Sequence, residues 1–86
     1  MHPMQLGNKL RRARFENDEL TQADLAAAVG VTRQTIISIE KGNYVPSVLL
    51  ALKIARFLQK PFEELFFIME DDGKIHSTPK QERNTP

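Results

Sequence analysis

Cysteine and tryptophan are absent from the 86 residues, tyrosine occurs once and histidine twice. Without cysteine there is no disulfide and no thiolate metal site, which agrees with a reducing cytoplasm. His2 and His76 stand too far apart in sequence to suggest a metal centre, and no metal or cofactor is expected. With Tyr44 as the lone tyrosine, the chain lacks the aromatic platform that stacks unpaired bases, which disfavours an RNA partner. No apolar run approaches the ~20 residues that span a membrane. The opening MHPMQLGNKLRR lacks the apolar segment of a secretory signal. No nucleophile stands beside a base and no glycine-rich phosphate loop is present, so neither an enzyme nor a small-molecule substrate is expected.

What remains is an ordinary globular composition, 41% hydrophobic and 27% charged, enough for one modest core. The net charge of +1 conceals an asymmetry. Residues 1–60 carry nine Lys and Arg against five Asp and Glu; residues 61–86 carry three against six. A mildly basic body permits a polyanionic partner, although solubilising surface charge explains the balance equally well.

The apolar spacing predicts five short helices and an all-α domain. Leu6, Leu10 and Ala13 share a face of a first helix over about Leu6–Asn17. Thr21 caps a second over 22–29, which Gly30 ends. Thr32 caps a third over about 33–41, with Ile36 and Ile39 facing the core. Ser47 caps a fourth through about Gln59, where Leu50, Ile54 and Leu58 form a stripe and Leu49 lies on the outer face. Pro61 opens a short fifth through about Leu65. Residues 66–70 either end that helix or form a short strand. The expected organisation is a flexible N-terminus (1–5), a domain (6–70) and a disordered polar tail (71–86), the tail being polar and proline-containing.

The pair 22–29 and 33–41 concentrates the chemistry. Two helices joined by a tight glycine turn cross steeply, and the second can protrude into the major groove of B-DNA. Its first residues meet base edges, so they must hydrogen-bond and stay out of the core. Arg33, Gln34, Thr35 and Ser38 meet that demand, and Ile37 can touch a thymine methyl. Arg33 suits guanine and Gln34 adenine. Gln22 and the free N–H groups at the start of its helix suit a phosphate. Thr32, Lys41, the Gly42 backbone and Asn43 are further phosphate candidates. Lys9, Arg11 and Arg12 are weaker ones, with Arg12 retained among the candidates.

The stretch LTQADLAAAVGVTRQTIISIEKGNYVPS, followed by LALKIARFL and PFEELF, resembles the Cro/lambda-repressor-type (XRE) helix-turn-helix regulators, over about residues 7–68. The resemblance implies a five-helix bundle whose third helix reads double-stranded DNA, usually as a homodimer on a palindromic operator. It implies that Gln22 contacts phosphate, that Arg33, Gln34 and Ser38 are the main base readers, and that Arg14 pairs with Glu40 in a buried ion pair. The segment FENDE before Leu20 is one residue longer than in many members, and Leu49 stands where relatives often carry Glu. No large ligand-binding or self-cleaving domain is expected after the helices. Phe66, Phe67, Ile68 and Met69 exceed what a short fifth helix can hide and are the expected dimer surface, paired as strands or as packed side chains. The competing reading is a protein-interaction adaptor, such as an antitoxin component, built on the same fold.

Overall fold

The computed structural model describes residues 4–70 and 75–76. Five helices follow in order: α1 (Leu10–Glu16), α2 (Gln22–Val29), α3 (Arg33–Glu40), α4 (Val48–Leu58) and α5 (Phe62–Leu65). A three-stranded antiparallel sheet joins them, made of β1 (Met4–Asn8), β2 (Phe66–Glu70) and β3 (Ile75–His76), with β2 in the centre.

The helices form where capping and periodicity agree. The Thr21 hydroxyl accepts from the Asp24 N–H at 3.0 Å and the Asp24 carboxylate accepts from the Thr21 N–H at 3.4 Å, a reciprocal cap on α2. The Ser47 hydroxyl accepts from the Leu50 N–H at 3.0 Å and starts α4. Leu10, Leu25, Ile36, Ile39, Ile54 and Leu65 are the largest fully enclosed side chains. They draw one residue or more from each helix into a single core. The α4 stripe of Leu50, Ile54 and Leu58, widened by Ala51 and Ala55, is buried.

The sheet corrects the expected N-terminal boundary. Leu6 does not open a helix; it lies in β1 opposite Ile68. Leu6 still packs on the core, but from a strand. Gly7 weakens any helix there, and the Asn8 side chain accepts from the Leu10 N–H at 3.2 Å, so the helix begins only after it. Asn8 also donates to the Ile39 carbonyl at 2.8 Å, fastening β1 to the end of α3. Met4 and Gln5, expected to be flexible, are strand residues, and residues 1–3 lie outside the described ones. Likewise Ile75 and His76 pair with Met69 and Ile68, which removes them from the expected disordered tail. Residues 71–74 and 77–86 lie outside the described residues.

The residues of the expected dimer surface, 66–69, differ in exposure. Phe66 is buried in the core, with its ring stacked on Phe62 at 5.3 Å between centroids. Phe67 and Met69 are half-buried over Gly7, where an added Cβ would collide with the Phe67 ring and the Met69 sulfur. Only Ile68 of the four is well exposed. As β2 is hydrogen-bonded to β1 on one side and to β3 on the other, it offers no free edge along its middle for pairing with a second copy.

Candidate nucleic-acid interface

The α2–turn–α3 unit is fixed from both ends. Gly30 adopts a positive φ of 81°, which favours glycine because other side chains are strained there. Its N–H and that of Val31 both donate to the Ala26 carbonyl, at 2.9 and 3.0 Å, closing α2 and turning the chain sharply. Thr32 then caps α3, its hydroxyl accepting from the Thr35 N–H at 3.2 Å. The buried Ile36 and Ile39 pin α3 from behind.

This placement turns two rows of α3 outward. Residues four apart lie above one another on a helix, so Gln34 and Ser38 make one row and Arg33, Ile37 and Lys41 the next. Arg33, Gln34 and Lys41 are exposed, while Thr35, Ile37 and Ser38 are half-buried. Gln34 reaches along its row and donates to the Ser38 hydroxyl at 3.4 Å. Both threonine hydroxyls are engaged with each other at 3.0 Å, so Thr35 and Thr32 serve first as the cap. Ile37, expected to be exposed, is partly covered because it lines a shallow concavity with Arg33 and Lys41. Asn43 is exposed past the helix, its N–H held by the Ser38 carbonyl at 2.9 Å.

A buried polar network sets the angle of α3. The Arg14 Nε donates to Glu40 Oε2 at 2.7 Å and its Nη2 to Oε1 at 3.1 Å, with each side chain only 9% exposed. The Arg14 Nη1 donates to the Leu20 carbonyl at 2.9 Å. Gln22 joins in: its amide nitrogen donates to Glu40 Oε1 at 3.1 Å. Gln22 is thus half-buried and oriented by Glu40, with one amide N–H committed inward. One carboxylate ties α1, α2 and α3 together at the edge of the reading surface.

The arginines of α1 divide by face. Arg11 lines the concavity with Arg33, Ile37 and Lys41, one helical turn from Arg14. Arg12, the candidate retained from sequence, does not. It donates to Glu16 at 3.1 Å, and Glu16 also meets Lys60 at 3.1 Å on another side of the bundle. The Lys60 hydrogen bond, then that of Arg12, holds the exposed Glu16 carboxyl below its ordinary range. Sequence reading missed Phe15. It is exposed, and the guanidinium carbons of Arg11 and Arg14 lie 5.8 and 5.7 Å from its ring centroid. The signal was available, since Arg11 and Phe15 stand four apart on one helix. Its meaning depends on which face of α1 meets α3.

Among the described residues, no group of His, Cys, Asp or Glu could hold a metal ion. None of their helices is long and apolar enough to cross a membrane.

Comparison with known proteins adds to this geometry. A family model described as helix-turn-helix matches residues 11–65. An uncharacterized HTH-type transcriptional regulator of Methanothermobacter thermautotrophicus is 57% identical over 54 residues, covering 63% of this chain and 78% of that protein. Another, from Methanocaldococcus jannaschii, is 55% identical over 65 residues, covering 76% and 96%. Among solved structures, the restriction-modification controller protein C.AhdI from Aeromonas hydrophila is similar with a TM-score of 0.58 and 31% identity, over 64% of this chain and 78% of that one.

Proposed function

The chain belongs to the helix-turn-helix family, and from that premise we propose that it regulates transcription by reading duplex DNA with α3 as a homodimer on a two-fold operator. The observation that carries this reading is the outward pair Arg33 and Gln34, both exposed on a helix whose other face is locked by Ile36 and Ile39. A fork of guanidinium donors and an amide that both donates and accepts are the groups that match guanine and adenine edges. Lys41, Arg11 and Asn43 would neutralise or hydrogen-bond phosphates around the groove, and the half-committed amide of Gln22 would offer its second N–H to another. A single α3 covers only a few base pairs. Two copies double the contacts and place the reading helices about 34 Å apart, one turn of B-DNA. The role is that of a binding protein, not an enzyme, and its place is the cytoplasm with the DNA.

Salt-titrated binding to duplex DNA tests the reading against a protein adaptor. A DNA reader releases counterions and loses affinity steeply as salt rises, with a log–log slope near −0.9 for each phosphate contacted. A flat response, or no binding in dilute buffer, would favour the adaptor.

A further inference from the structure

The three arginines of α1 have different partners. Arg12 is paired with Glu16 at 3.1 Å and Arg14 with Glu40 at 2.7 Å. Arg11 lies against an aromatic ring instead. Its guanidinium carbon is 5.8 Å from the centroid of Phe15, four residues on and on the same side of the helix. That ring is 53% exposed, so core burial does not account for it. It lines the same concavity as Arg11, Arg33, Ile37 and Lys41.

We propose that Phe15 is a positioning residue for DNA binding, its ring holding the Arg11 guanidinium ready for the phosphate backbone. This rests on the proposed function and deepens it. The two kinds of partner leave a cation in different states. A carboxylate offsets the charge and occupies the donors. A ring attracts the guanidinium through its flat side and leaves the charge and the N–H fork for another ligand. An arginine held in this way has less freedom to lose when it meets a phosphate, so the contact costs less ordering. The ring is itself backed by a fixed group. The Arg14 guanidinium carbon lies 5.7 Å from the same centroid, and Glu40 and the Leu20 carbonyl engage all three of its nitrogens. Support therefore runs from Glu40 through Arg14 and Phe15 to Arg11. Since Phe15 acts through a phosphate contact, its effect is the same on every sequence.

A double-mutant cycle on the full chain tests this, with a random-sequence duplex in dilute buffer as the probe. Phe15→Leu is expected to weaken binding about two- to fivefold, the worth of an exposed cation–aromatic contact. Phe15→Tyr, which keeps the ring, should bind as the wild type does. The salt slope of Phe15→Leu should stay unchanged, because Arg11 still reaches its phosphate. In an Arg11→Ala background, Phe15→Leu should cost nothing further. The free protein supplies a second readout. In proton NMR the Arg11 side chain should resonate upfield under the ring current of Phe15, and return to ordinary positions in Phe15→Leu. If Phe15→Leu does not fold, the wild-type Arg11 resonances decide alone. An equal loss with and without Arg11, no loss from Phe15→Leu, or wild-type Arg11 resonances at ordinary positions would overturn the proposal. The two readings fail separately. Wild-type protein that binds no duplex loses the proposed function and this proposal with it; wild-type protein that binds, with an additive cycle, loses this proposal alone.

Discussion

Removing the Arg33 or Gln34 side chain touches no core contact, because both lie in solvent. Substitution of either by alanine should therefore leave the unfolding midpoint unchanged while costing about 1–3 kcal/mol of binding on the preferred site. Competition with random duplex checks this, since loss of base reading spares nonspecific binding. Arg11→Ala and Arg12→Ala should part company. The first is expected to weaken binding on all sequences and to reduce the salt slope by about one. The second should change neither, since Arg12 faces Glu16 away from α3. Arg14 and Glu40 behave differently again, each being 9% exposed and bonded to the other. Arg14→Ala strands the Glu40 carboxylate and should cost about 3–5 kcal/mol, a large share of a small domain's stability. Urea unfolding of Arg14→Met, Glu40→Leu and the double variant checks this. The double variant should lose less than the two single losses added together, because no buried charge is left alone.

At the scale of elements, legibility followed locality. α2, its turn and α3 were readable because cap, glycine and apolar spacing all lie within a few residues of one another. The Arg14–Glu40 link followed from the family resemblance, not from spacing. β1 was not readable. Leu6 and Leu10 are spaced as on a helix, and what makes Leu6 a strand residue is its pairing with Ile68, far along the chain. Phe66 misled for the same reason: its burial depends on the core it meets and on Phe62 beneath it. The division of Arg11 from Arg12 required the orientation of α1. Two substitutions probe the elements. Thr32→Ala removes the cap of α3 and should cost about 1 kcal/mol, read as a lower thermal midpoint. Gly7→Ala drives a methyl into the Phe67 ring and should cost about 1–3 kcal/mol. Combined with Phe67→Ala, the added cost of the Gly7 change should shrink, leaving only the flexible Met69 sulfur in the way.

The whole molecule separates its tasks by face. α3, flanked by Arg11 and Lys41, forms one polar and basic surface, the outer side of α4 forms an apolar one, and the sheet closes the bundle by joining the start of the described chain to the strand after α5. The basic excess of residues 1–60 over residues 61–86 places the positive charge on the part that would meet DNA. The proposed function depends on the outward rows of α3 reading base sequence. Selection of bound duplexes from a random pool, run side by side with wild-type protein and Gln34→Ala, tests it most directly. The wild type is expected to enrich a palindromic motif, and the variant to lose preference at one symmetric pair of positions while keeping the rest. Enrichment of no motif, or an identical motif with both proteins, would contradict it.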